Sequence, residues 1–173
     1  MTHPAPFHRR SARGEQNFTR YIIPRLHTLF PGKWISLNGA PADWEHGVDF
    51  IHVHGHQVQT ISARVWMSMP HYNFTIRHYR TSEPERPLEY ASRMEAFRTG
   101  GYMSDWTVEG FVHRTGLAIG VIPTRKLFHH LDRMGDLCPR FMVQNQTDHT
   151  IFRKVNWVDV HEDMERFYFK PVL

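Results

Sequence analysis

Extended segments in this chain come in consecutive runs, and three helix-period segments separate the runs. Phe18, Ile22, Leu26 and Leu29 recur at helical spacing and predict a helix over residues 15–30. Pro24 lies inside that stretch and should kink or split it, and Pro31-Gly32 should end it. Strand patterns follow at 33–37, 48–54, 57–67 and 73–80, with turn residues at 38–41 and Gly55. Four strands in succession predict an antiparallel meander. A second helix is expected after Pro87, with Leu88, Ala91, Met94 and Phe97 as its apolar stripe and Gly100-Gly101 as its stop. Glu89 and Arg93, four apart, would pair on its polar face for about 0.2–0.5 kcal/mol. Strands at 106–113 and 117–122 come next. A helix over 123–135 follows, capped by Thr124, with Leu127, Leu131 and Met134 inward. Strands near 141–144 and 151–160 and an extended segment carrying Phe167 and Phe169 close the chain. Runs of strands between isolated helices imply an α+β fold rather than a doubly wound one. The sheet should be mixed and largely antiparallel, flanked by about three helices.

The length of 173 residues fits one domain, here residues 15–173 behind a flexible basic arm over 1–14. The single cysteine, Cys138, excludes a disulfide framework and a four-cysteine zinc module. Basic residues outnumber acidic ones by 21 to 17, and only Lys33, Lys126, Lys154 and Lys170 are lysines. The net charge of +4 is therefore carried by arginine, which suits planar recognition of phosphate. Arg9, Arg10 and Arg13 crowd the arm and are candidate phosphate contacts, the alternative being an unstructured terminus. No Walker loop or dinucleotide fingerprint occurs. The sequence shows neither a signal-peptide core nor a run of about 20 apolar residues, so a cytoplasmic protein without a membrane partner is expected.

Asp49 stands between Val48 and Phe50 at the head of an apolar strand, where a carboxylate needs a partner, a solvated edge or a metal. Asp43 and Glu45 precede it in a loop. The three could share a magnesium ion, whose chemistry favours carboxylate, water and phosphate oxygens. The structural alternative is a carboxylate that caps a turn or pairs with Arg64 or Arg77. Arg64 and Arg77, expected on neighbouring strands, would form an anion site if they share a face, or else lie exposed with buried stems. Arg80 ends the second of these strands and joins them as a candidate nucleic-acid contact.

In this region the chain resembles the restriction-endonuclease-like, or PD-(D/E)XK, superfamily over about residues 15–100. The resemblance rests on a leading helix, the Gly47-Val48-Asp49 strand and the next strand, Thr60-Ile61-Ser62-Ala63-Arg64. It implies a helix, strand-hairpin, helix and strand core, with Asp49 as the metal-binding aspartate. Ser62 stands where the second acid is expected and Arg64 where the lysine is expected. Gln59 would offer a carbonyl oxygen. The implied activity is a magnesium-dependent phosphodiesterase acting on DNA or RNA, with Asp49, Arg64 and Gln59 as its machinery, or a degenerate relative that binds without cutting. A protein-binding accessory or inhibitor module is the alternative.

His52, His54 and His56 alternate, as zinc or iron ligands on one strand would; surface histidines are the plainer reading. Among the aromatics, the tryptophans read mainly as core. Tyr72, Tyr79 and Tyr102, in or near loops, read as the better contact residues.

Overall fold

In a computed structural model, which describes residues 14–37, 40, 47–80, 89–135, 142–144 and 150–170, the first helix accommodates Pro24 by widening. Residues 14–17 are α-helical, Phe18–Ile22 forms a π-helical turn, and α1 continues over Ile23–Leu29. The Ile23 N–H bonds the Phe18 carbonyl, five residues back. A π-turn at this place makes room for a ring that would otherwise press on the preceding turn. The expected kink is thus taken up as a bulge, and one face, Phe18, Ile22 and Leu26, stays buried.

The strands are β1 (Lys33–Ser36), β2 (Phe50–His54), β3 (Gln57–Trp66), β4 (Asn73–Arg80), β5 (Trp106–His113), β6 (Gly116–Pro123), β7 (Met142–Gln144), β8 (Thr150–Asn156) and β9 (Glu165–Phe169). Two further helices are α2 (Glu89–Thr99) and α3 (Thr124–Met134), and a short 3-10 turn spans Trp157–Val160. The fold is α+β. A six-stranded sheet has the order β1-β2-β3-β5-β6-β9, antiparallel except where β3 meets β5. A second, three-stranded antiparallel sheet has the order β4-β8-β7.

The expected four-strand meander is therefore corrected. β4 leaves the first sheet to pair with β8, and β5 takes its place beside β3. Parallel strands cannot be joined by a tight turn, so the β3–β5 connection must cross a face of the sheet. Here it does so by carrying β4 and α2.

Strand alternation then sorts the side chains. On β3, Ile61, Ala63 and Val65 face one way, toward Phe18, Ile22 and Leu26 of the first helix. Ser62, Arg64 and Trp66 face the other, toward the second sheet, α2 and α3. That second layer buries Phe74, Ile76, Phe111, Ile122, Leu127, Phe128, Val155 and Trp157. β5 follows the same alternation, with Val108 on the first side and Phe111 on the second.

Two helix expectations change. Thr124 does not cap α3. Pro123 holds the cap position without a side-chain bond, and Thr124 Oγ1 is buried against Ser104 (3.1 Å) and Thr107 (2.9 Å). On α2, Met94 and Phe97 of the expected stripe do face the core, but Ala91 is exposed, Tyr90 and Arg93 are buried in addition, and Leu88 lies outside the described residues. The helix turns a charged residue into the protein because a charged partner waits there.

Gly120 on β6 marks a close contact between the layers. A Cβ at this residue would stand 2.6 Å from ring carbons of Trp157, which is 1% exposed and has no room to retreat. Gly120→Ala is expected to lower unfolding stability by about 1–3 kcal/mol, read from the urea midpoint at unchanged slope. An unaltered midpoint would mean that the indole can move.

Candidate nucleic-acid interface at the arginine cluster

β4 is the outer strand of the small sheet, so one row of its backbone groups lacks a strand partner. At Thr75, charged side chains of the large sheet supply the missing bonds. The Thr75 N–H donates to Glu109 Oε2 at 2.7 Å, and Thr75 Oγ1 donates to Glu109 Oε1 at 2.6 Å. The Thr75 carbonyl and hydroxyl both accept from Arg64 Nη1, the hydroxyl at 3.0 Å. Arg64 and Glu109 are register partners on the parallel strands β3 and β5, so they reach the edge of β4 side by side. Trp66 Nε1 donates to Glu109 Oε1 as well.

Glu89, at the start of α2, gathers three arginines. Its Oε2 accepts from Arg64 Nη2 at 2.8 Å and from Arg77 Nε at 3.2 Å. Its Oε1 faces Arg93 Nη1 at 3.2 Å. The pair of Glu89 and Arg93 expected on the polar face is thus present but turned inward. Arg93 continues through Nη2 to the Gly47 carbonyl at 2.6 Å and Ser62 Oγ at 2.8 Å. Gly47 has φ +60°, and a Cβ there would overlap the Arg93 guanidinium, so glycine is required on both counts. Arg64 lies over the Phe152 ring, 5.3 Å from its centroid.

The electrostatics follow from burial and neighbours. Burial works against charge on Glu89, but Arg64, Arg93 and Arg77 together hold its carboxyl far below the usual range. Burial pushes the Glu109 carboxyl up to about 7, against the pull of Arg64 and the bonds from Thr75 and Trp66. Burial likewise opposes charge on Arg64, yet Glu89 and Glu109 raise its pKa above the ordinary value.

Side-chain exposure falls from 42% at Arg77 to 20% at Arg64, 10% at Glu89 and 8% at Arg93. Arg77 is therefore the member that meets solvent. Among the described residues its terminal nitrogens have no protein partner, which leaves them for an anion.

The expected site residues divide as follows. Arg64 and Arg77 do converge, although from different sheets rather than from neighbouring strands. Asp49 lies close enough for its charge to act on Arg64. Its Oδ2 accepts from the Ala63 N–H at 2.7 Å and its N–H bonds the Ile61 carbonyl at 2.9 Å, so the residue extends the β2–β3 ladder with its side chain. Gln59 does not join them. An odd-numbered residue on β3 faces the first helix, and Gln59 instead reaches His52 Nδ1 at 3.3 Å, beside a small cavity that Trp34 and Leu26 also line. Asp43, Glu45, Arg9, Arg10 and Arg13 lie outside the described residues, as does the side chain of Arg80.

The histidines separate too. His52 is buried with its ring 4.8 Å from Trp34, His54 is exposed, and His56 lies in the turn after Gly55. Among the described residues no group of three or more histidine, cysteine or acidic side chains is arranged to hold a metal ion. No described helix is long and apolar enough to cross a membrane.

Glu109 and the inward roles of Glu89 and Arg93 escape the sequence reading. The signal for Glu109 is the same as for Asp49: a lone carboxylate inside an apolar strand, here between Val108 and Gly110.

No family model matches the chain, and no curated protein matches it.

Proposed function

We propose that the protein binds the phosphate backbone of nucleic acid through a nuclease-like core that does not cut. The observation that carries this reading is the engagement of the acids. Both oxygens of Glu89 face arginine, and both oxygens of Glu109 accept hydrogen bonds from Thr75 or Trp66. Ser62, at the position of the second acid, is held by Arg93. Asp49 thus has no described carboxylate beside it with oxygens to spare for magnesium. What the cluster offers outward is the Arg77 guanidinium, whose planar donors match a phosphate. The arginine-borne excess of charge supports the same reading.

The test is binding of labelled single- and double-stranded DNA and RNA over a salt series, with and without magnesium. Affinity should fall as salt rises, and the substrates should stay intact. Arg77→Ala should weaken binding by about 3- to 10-fold and reduce the salt slope by about one. Magnesium-dependent cleavage that disappears in Asp49→Ala would replace this reading with a nuclease. Absence of binding to every polymer would discard it in favour of a protein partner.

A further inference from the structure

The edge strand β9 and the loop before β4 meet in an exposed aromatic pair. Tyr72 and Tyr168 are 45% and 60% exposed, with ring centroids 5.9 Å apart at 65°. Tyr72 also contacts the buried Trp157 at 5.5 Å, and Trp157 rests on Gly120. A rigid aromatic floor therefore lies under two solvent-facing phenols.

Tyr72 is, among the described residues, the one non-glycine residue with positive φ, at +49°. That conformation is unfavourable for a bulky side chain and persists only where the surroundings enforce it. Here the Tyr72 carbonyl is pinned by the Trp157 N–H at 2.8 Å. The strain turns an aromatic ring outward where glycine or asparagine would be easier to place.

Positive charge borders the pair. By strand alternation, Arg166 shares the face of Tyr168 and stands opposite Gly120, which adds no side chain of its own, and Lys170 follows directly on the end of β9. Among the described residues neither cation has a carboxylate partner. Of the acids that follow Trp157, Asp159 accepts from Asn156 at 3.0 Å and Asp163 pairs with Lys126 at 3.1 Å, while the exposed Glu162 stands 4.0 Å from His161. Exposed rings flanked by unpaired cations are the combination that stacks an unpaired base and holds its phosphates. A duplex keeps its bases stacked inside and offers no ring face along its length.

We infer that Tyr72 and Tyr168 form a stacking site for an unpaired nucleobase, with Arg166 and Lys170 holding the adjoining phosphates, so that the preferred ligand is a single strand. This rests on the nucleic-acid reading above and adds the strand preference. Tyr72 stands just before β4, and Arg77 lies within that strand.

The experiment measures affinity for an unstructured oligonucleotide and for its duplex by anisotropy at fixed salt. Tyr72→Ala and Tyr168→Ala should each weaken single-strand binding by about 5- to 100-fold and leave duplex binding within twofold. Tyr72→Phe and Tyr168→Phe keep the rings and should bind as the parent does. Tyr72→Gly removes the ring while accepting the backbone conformation, so it should remain folded and still lose the single strand. Arg166→Ala should weaken binding and lower the salt slope by about one. If the alanine and glycine variants bind the single strand as the parent does while Arg77→Ala does not, the stacking site is wrong and the phosphate site stands. Equal parent affinity for single strand and duplex would also overturn the stacking site. If the parent binds no polymer, both readings fall.

Discussion

Glu89→Ala should lower unfolding stability by about 3–5 kcal/mol, the largest single effect expected in this molecule. The substitution removes the common partner of Arg64, Arg77 and Arg93. Arg77 can turn to water, but Arg93 is buried, and Arg64 is held over Phe152 with Nη1 committed to Thr75. Two guanidinium groups would then share a poorly solvated space without a counter-charge. Small domains are stable by about 5–15 kcal/mol, so the variant would stand near its unfolding threshold. Urea unfolding of parent, Glu89→Ala and Glu89→Gln measures the loss. Glutamine keeps the volume, so a loss that survives in it is electrostatic. Added salt should restore little, because buried pairs are weakly screened. A deficit under 1 kcal/mol in the alanine variant would mean that the cluster contributes little to holding α2 against the sheets.

Glu109 should give the protein a stability that declines as pH rises from about 4.5 to about 7. Its carboxyl titrates near 7 in the folded protein against an ordinary value of 4.5. The folded state therefore holds the proton more tightly, and unfolding releases it within that window. The contribution is fully present below 4.5 and lost once pH passes 7. At 1.36 kcal/mol per pH unit this amounts to about 3 kcal/mol. Glu89 has the opposite sign: its depressed value stabilises the fold above 4.5, and the contribution is lost as pH falls further. Burial lowers the pKa of His130, so its contribution is lost as pH falls below the ordinary histidine value, inside the same window. The difference between parent and Glu109→Gln isolates the glutamate, because the other groups are common to both. That difference should change steadily from pH 5 to 7; a constant offset would refute the proposed titration.

Local pattern made much of the secondary structure legible. β4 and β5 were predicted over the residues they occupy, because alternating and apolar runs bounded by turn residues report strand extent directly. The helix before β1 was predicted with its irregularity, since Pro24 must disturb a helix wherever it occurs.

Pairing was less legible. Nothing in residues 57–80 states that β4 will abandon β3, because a strand's own alternation carries no record of its neighbour. The same limit applied to Gln59 and Arg64. Their odd and even positions on β3 place them on opposite faces, so they could not share one site, yet only the packed layers decide which face holds the charges. The isolated helix pattern of α2 places Glu89 on the polar face, because it carries no trace of Arg64 and Arg77 coming to meet it.

By itself, then, the sequence determined the class of fold, the extent of many elements and an arginine-borne positive charge, all of which depend on neighbours a few residues away. Only the tertiary structure decided that β5 would stand beside β3. That contact brings Arg64 and Glu109, 45 residues apart, against the open edge of β4. It also placed Tyr168 beside Tyr72, almost a hundred residues earlier. Both outcomes depend on burial and unsatisfied backbone groups across long sequence separations, where local periodicity has no reach.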